Sequence, residues 1–392
     1  MSTLASTLLP RLADALDGAE PVLLGPAAHS VADQVGTLPG TALVLGTSGS
    51  TGTARAVALS AAALRASTDA THARLAGPGQ WLLTLPADHV AGVQVLVRSI
   101  LASTSPVLME PGPFRPAALA AAVARMRTDV PRYLSLVPTQ LLRILEAPDG
   151  AACVAALRTC AAVLVGGAAT PPALLERARK AGIAVVTTYG MTETCGGCVY
   201  DGVPLDGVQV RTAGSHGRIE IAGPVLATAY LDLGEEPAAQ SALRSELVER
   251  DGARWLRTTD SGQFEAGRLQ VLGRLDDVII TGGVNVHPAH VERRLAAAGF
   301  VECLVVGVPD EQWGQRVTAV VAAPEGAAEA AGVVTLAQVR DAVGGGPLAP
   351  QALVHLPELP RRGPGKPDRR AAAALAALAV AEGRAELHRP GG

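Results

Sequence analysis

The sequence predicts an α/β fold: a large first domain of helix-covered parallel sheets with a small barrel-like β layer, followed by a small α+β domain. Three observations carry this. Short β-branched or leucine-rich runs alternate with alanine-rich helical stretches through the first two thirds of the chain, which argues for parallel sheets covered by helices. From about residue 203 the texture turns to period-two alternation with frequent turn residues, the mark of antiparallel strands. Near residue 274 it changes again, and the remaining residues hold enough strand and helix signals for a separate small unit.

In chain order, the predicted strands of the first part are TALVLG, QWLLTLP, PVLM, RYLSLVP, AAVLVGG and IAVVTTYG. Between them LSAAALRASTDATHARL, FRPAALAAAVARMRT, TQLLRILEA and PPALLERARKAG place apolar residues at helical spacing. Thr170 followed by Pro171 and Pro172 predicts a helix start with a hydroxyl cap and prolines in the first turn. The antiparallel layer is VPLDGVQVRTAGSHGRIEIAGPVLATAYLD. The domains are expected at 1–274 and 275–392, with residues 324–332 as a surface loop and the segment after Arg370 as a helix.

Composition narrows the function classes. A chain of 392 residues with 48% hydrophobic content builds a substantial core and more than one domain. Its net charge of -3 removes the long-range attraction that nucleic acid or anionic membrane binding uses, so the expected partner is a small molecule. The first twenty residues lack a basic start followed by an apolar stretch, and no apolar run reaches the ~18 residues of a membrane span, so the expected location is cytoplasmic. Five cysteines, an odd number, suit reduced thiols better than a disulfide framework.

The chemistry starts at GTSGSTGTARAVALS, residues 46–60. Glycines let a backbone approach an anion, and successive N–H groups with Ser and Thr hydroxyls can wrap phosphate oxygens. A Walker loop requires Gly-Lys-Ser/Thr, whereas Gly52 is followed by Thr53, which argues against a P-loop NTPase. The same composition also suits a plain turn, or a serine nucleophile with a lysine base, for which Lys180 and Lys366 are the candidates.

Four further segments set the loop in context. They are YGMTET at 189–194, TTD at 258–260, GRLDDVIITGGVNVHPAHVE at 273–292 and LPRRGPGKPDRR at 359–370. With TSGSTGTARAV these resemble, in the same order, the five motifs of the adenylate-forming superfamily of acyl-CoA synthetases, luciferases and adenylation domains. The resemblance implies activation of a carboxylate by attack on the α-phosphate of ATP, release of pyrophosphate, and transfer of the acyl group to the thiol of coenzyme A. ATP, Mg²⁺ and coenzyme A are the implied ligands beside a small-molecule carboxylic acid, and a homodimer is common in the family.

Carried over position by position, the resemblance implies that Thr47, Ser48, Gly49, Ser50, Thr51, Gly52 and Arg55 grip the pyrophosphate. Lys366 bridges carboxylate and α-phosphate, Thr192 bonds the α-phosphate, and Glu193 holds Mg²⁺. Tyr189 and Gly190 pack against the nucleotide, Gly167 and Ala168 line its adenine side at a strand end, and Asp260 with Arg274 holds the ribose hydroxyls. His89, Gly190 and Met191 line the acyl pocket. Asp276 is the hinge about which the second domain turns, bringing the Gly282-Gly283 turn to the thiol-bearing arm for the second step. A narrower likeness, in 88–99, 135–141, 163–183 and 188–208, is to a branch whose substrate has two carboxylates, for the second of which Arg98 is the nearby cation. Another aryl- or acyl-CoA synthetase with the same chemistry stays open as the first alternative, and a catalytically silent nucleotide-binding homologue as a further one.

The chain departs from the pattern at three places. Ala54-Arg55-Ala56 stands where Pro-Lys-Gly is usual, and a planar guanidinium is not equivalent to an ammonium. Thr259 replaces a glycine, and the phosphate loop comes about 100 residues early. Cys195 and Cys198 have dithiol or half-zinc-site spacing, but there is no second CxxC, so they are read as small residues lining the pocket.

Overall fold

The computed structural model describes residues 2–388 apart from 37, 49–53, 215, 232–245, 301, 323–333, 347 and 363–365. The glycine-rich loop and residues 324–332 therefore lie outside the described residues, as do the side chains of Thr47, Ser48 and Lys366.

Two sheets and the helices between them build the first part. One sheet holds Val22–Leu24, Thr41–Ser48, Ala54–Ser60 and Ala229–Leu231 in that order. Only its first pair is parallel. This corrects the expectation of parallel pairing here: Thr41–Ser48 and Ala54–Ser60, the strands that flank the glycine-rich segment, pair antiparallel with Thr47 opposite Arg55.

The second sheet has seven strands, and five of them, from Val185–Met191 through Ala162–Val165, Arg132–Leu136 and Gln80–Leu83 to Val107–Leu108, are parallel. Its strands are apolar on both faces, as a covered parallel sheet requires. Trp81, Leu83, Tyr133 and Leu164 pack toward helices Ser2–Leu16, Ala61–Arg74 and Val90–Leu101 and the first sheet beyond them. Leu82, Leu134, Leu136 and Val163 pack toward the helices of residues 116–180 on the other side. The helix predicted to start at Thr170 begins at Pro172 with Pro171 at its cap position and no side-chain cap bond, because the ring-fixed φ of proline already suits the first turn. The first helix is an addition to the predicted elements; Ala5, Leu8, Leu12 and Ala15 give it a buried stripe despite Pro10.

The third layer is antiparallel. Its 13-residue strand Ala253–Glu265 pairs with Arg218–Ala222, Leu247–Arg250 and Arg268–Arg274, so one strand carries the layer and brings Asp260 opposite Arg274. The last sheet runs from Ile279 onward around Cys303–Asp310 and Gly314–Ala322. It has cores on both faces, one under helices Pro288–Ala297 and Leu336–Ala342, the other under helix Arg369–Ala381. No described helix is long and apolar enough to cross a membrane.

Candidate active site

Residues 189–197 leave the C-terminal end of a parallel strand, where open α/β sheets present ligands. The strand ends at Met191, a single 3₁₀ turn covers Thr192–Thr194, and the chain reverses through Cys195 and Gly196, both at positive φ. The turn is held from inside: Thr194 accepts from Met191 N at 2.9 Å and donates to Gly196 O at 2.7 Å. Gln94 and Ser67 donate to Cys195 O at 2.6 and 3.2 Å. Gly190 has no room for a side chain, since a Cβ would lie 2.0 Å from Gly196 O.

That reversal sets the positions of the site's polar side chains. Tyr189 donates its hydroxyl to Asp260 Oδ2 at 2.8 Å, joining the aromatic to the acid from the third layer. Burial pushes both groups up, the Asp260 carboxyl against the Tyr189 hydrogen bond and nearby Arg274, and the Tyr189 phenol further with the help of the Asp260 charge. Arg274 faces Asp260 across the strands, yet its guanidinium bonds Asp276 at 2.8 and 2.7 Å and Thr259 Oγ1 at 2.7 Å. The threonine that replaces a glycine thus serves as an acceptor for the arginine.

Glu193 is buried, and burial raises its carboxyl pKa, partly offset by backbone hydrogen bonding, Tyr230 and Arg55. Tyr230 reaches Glu193 Oε1 at 3.0 Å and Glu246 Oε2 at 2.9 Å. Glu246 in turn takes the fork of Arg55 bidentately at 3.0 and 3.2 Å, and the Arg55 guanidinium stands 5.6 Å from the Tyr230 ring centre. Arg55 and Glu193 are therefore brought together through two residues that sequence reasoning missed. Tyr230 had a readable place in a predicted strand, but that strand was assigned to the antiparallel layer and pairs instead with Ala54–Ser60 of the first sheet; Glu246 had no local signal.

The other predicted residues are spread around this centre. Gly167, at positive φ, and Ala168 are exposed beyond the strand Ala162–Val165. Thr192 and Met191 are half-buried in the turn. His89 is exposed at the start of helix Val90–Leu101 with its ring 3.1 Å from Asp88. Gly282 and Gly283 both have positive φ, and a Cβ on Gly282 would meet the Trp313 ring at 2.8 Å, so only glycine fits that turn. Lys366 is in a two-strand ladder opposite Arg362. Lys180, the other lysine considered as a base, is exposed and paired with Glu176 at 2.7 Å.

Cys195 and Cys198 are corrected from pocket-lining to core positions: both have zero exposure within the main apolar cluster. Burial raises both thiols, Cys198 to about 12, and all five cysteines are free and buried. Next to them Arg98 is only 3% exposed. It reaches Tyr200 Oη at 3.4 Å and lies 4.9 Å from the Trp81 ring centre, while its Nε has no partner. No described carboxylate pairs with it. His72, alongside, is driven down to about 4 by burial first and Arg98 second.

A tyrosine–aspartate pair at a strand end, and a buried glutamate joined through Tyr230 and Glu246 to Arg55, bring together residues of separate adenylate-forming motifs. The chain belongs to the AMP-binding enzyme family, which matches residues 20–231, and the family's C-terminal domain matches residues 291–366. A probable 2-succinylbenzoate–CoA ligase of Mycobacterium tuberculosis is 42% identical over 378 residues, 93% of this chain and 94% of that protein. The 2-succinylbenzoate–CoA ligase of Escherichia coli is 32% identical over 61% of this chain and 49% of its own length. Among solved structures, the o-succinylbenzoate CoA synthetase of Bacillus subtilis with its acyl-adenylate matches at TM-score 0.69 and 27% identity, covering 84% of this chain and 68% of that one. ATP-bound MatB from Rhodopseudomonas palustris matches at TM-score 0.72 and 26% identity over 86% and 68%.

Proposed function

We propose that this chain is an ATP- and Mg²⁺-dependent acid–CoA ligase whose acid is 2-succinylbenzoate, an activity of menaquinone biosynthesis. The observation that carries the substrate is Arg98: a guanidinium 3% exposed, with an unpartnered Nε and no described carboxylate to neutralise it. An uncompensated buried charge costs several kcal/mol. The acid named for the relatives brings two carboxylates, one to be activated and one free to meet this cation. His72, held neutral beside it, leaves the positive charge there to the arginine.

In this reading the carboxylate oxygen attacks the α-phosphorus, the bond to the β-phosphate breaks, and pyrophosphate leaves. Lys366 neutralises the two anions as they meet, with Thr192 on the α-phosphate, and the loop from Thr47 to Gly52 with Arg55 holds the departing pyrophosphate. Glu193 fits a magnesium ion: it is a buried carboxylate in an environment that disfavours its own charge, and Mg²⁺ needs only one or two carboxylates beside phosphates. Magnesium would supply neutralisation of the triphosphate. Tyr189 carries adenine against Gly167 and Ala168 while Asp260 and Arg274 take the ribose hydroxyls. His89, Gly190 and Met191 border the acid. The domains divide at 274/275, Asp276 is the hinge, and Gly282-Gly283 admits the pantetheine arm so that the thiol displaces AMP.

Acid-dependent ATP/pyrophosphate exchange followed by thioester formation tests this. Exchange is expected with 2-succinylbenzoate and not with benzoate, and Arg98→Met should raise the KM for the diacid about 10- to 100-fold, the worth of one charged hydrogen-bonded contact, while sparing the KM for ATP. Equal exchange with benzoate would remove the substrate assignment, and no exchange with any acid would remove the ligase.

A further inference from the structure

The peptide between Asp276 and Asp277 is gripped from both sides. Asp276 is tied back to the third layer by Arg274 at 2.8 and 2.7 Å, and Leu275 N donates to Thr259 O at 2.7 Å. Asp277, the next residue, pairs instead with Arg369 Nε at 3.2 Å. Arg369 also gives both terminal nitrogens to Glu292 at 2.6 Å each and bonds Val305 O at 2.9 Å. Glu292 Oε1 accepts from Val305 N at 2.7 Å as well, so this guanidinium is anchored in the last sheet and its first helix. Two adjacent carboxylates are thus held by different layers.

Arg369 lies three residues past Lys366, and the link between them is stiff. Lys366 pairs with Arg362 across the ladder, and Pro367 has a fixed φ. Asp368 N donates to Pro360 O at 2.8 Å, while its carboxylate caps helix Arg369–Ala381 by accepting from Ala371 N at 3.0 Å.

We propose that Arg369 is a positioning residue of the adenylation half-reaction: through Asp277 it fastens the Lys366 hairpin to the first residue beyond the hinge, so that rotation at the Asp276–Asp277 peptide carries the lysine as one rigid arm. This rests on the proposed roles of Lys366 as the bridging cation and Asp276 as the hinge. Rotation about backbone bonds lying between the two clamped carboxylates breaks neither ion pair. Losing the Asp277 contact adds a second pivot, and any angular error there is multiplied along the arm to the lysine amine. The thioester step does not use that amine and tolerates the error.

The test compares Asp277→Asn, Arg369→Lys, Lys366→Ala and the Asp277→Asn/Lys366→Ala double variant. Asp277→Asn leaves the Arg369–Glu292 pair in place, so the last sheet keeps its main anchor. ATP/pyrophosphate exchange with 2-succinylbenzoate is measured beside thioester formation from the preformed acyl-adenylate and coenzyme A. Asp277→Asn should lower the exchange kcat about 10- to 100-fold, the effect of misplacing a catalytic group by roughly 1 Å, with the KM for ATP and the thioester step unchanged. The double variant should be no slower than Lys366→Ala alone, because a residue acting only through the lysine adds nothing once the lysine is gone. Equal losses in both half-reactions, or full exchange in Asp277→Asn and Arg369→Lys while Lys366→Ala is inactive, overturns the positioning role. Full exchange in Lys366→Ala instead removes the lysine reading beneath it, and the proposal with it.

Discussion

His72 and Arg98 occupy one buried place between two helices, and only one of them is charged at neutral pH. The His72 pKa falls from 6.5 to about 4, through burial and then Arg98, with Asp69 opposing weakly. Between those values the unfolded chain binds a proton that the native state refuses, so stability rises with pH across this window and is lost as pH falls. His72→Leu removes this linkage. Urea unfolding at pH 7 and pH 5 should show the wild type losing about 2 kcal/mol more than the variant over that interval. Equal losses would place the histidine in contact with solvent protons. At this scale the sequence pointed to Tyr189, Glu193 and Asp260 because each is embedded in a local motif. It could not show that the Arg55 fork is taken by Glu246, 191 residues away, since ion pairing over such a separation leaves no local pattern.

The turn after Tyr189 depends on its glycine. With a Cβ 2.0 Å from Gly196 O, Gly190→Ala has to push two strands of one sheet apart at the register shift beside Tyr189. Overpacking of this kind costs about 1–3 kcal/mol, and it displaces Tyr189 and Glu193 together. The variant should melt lower and lose exchange activity; an unchanged melting temperature with full exchange would contradict the close approach. Strand and helix alternation was legible because period-two and helical spacing are local properties. The antiparallel hairpin around the phosphate loop was not, because an apolar strand has the same composition whichever way its neighbour runs.

Across the whole molecule the thiols report on packing. Cys195 and Cys198 lie in the core between the sheets, Cys153 and Cys160 in the core on the outer face of the second sheet, and Cys303 in the core of the last sheet. Burial raises Cys153 and Cys303 to about 12 and Cys160 to about 11, so the reactive thiolate is scarce as well as inaccessible. A thiol reagent should label none of the five in the native protein at neutral pH and all five in denaturant. Rapid native labelling of Cys195 or Cys198 would restore the pocket-lining reading.

The order of motifs by itself determined the class of chemistry, because binding phosphate, ribose and metal demands particular groups at short, fixed spacings. The changes of texture near 203 and 274 marked where antiparallel strands and the last sheet begin, but not the layers themselves: Val203–Pro204 joins the second sheet and Ala229–Leu231 the first. Only the tertiary structure decided which groups meet: Tyr189 with Asp260, Arg55 with Glu246, and the adjacent Asp276 and Asp277 with arginines of different layers. It also decided that Arg98 is buried without a carboxylate partner among the described residues. The reason is range. Spacing along the chain constrains what a few neighbouring residues can do, whereas burial and charge pairing depend on segments that only the packing of separate layers brings into contact.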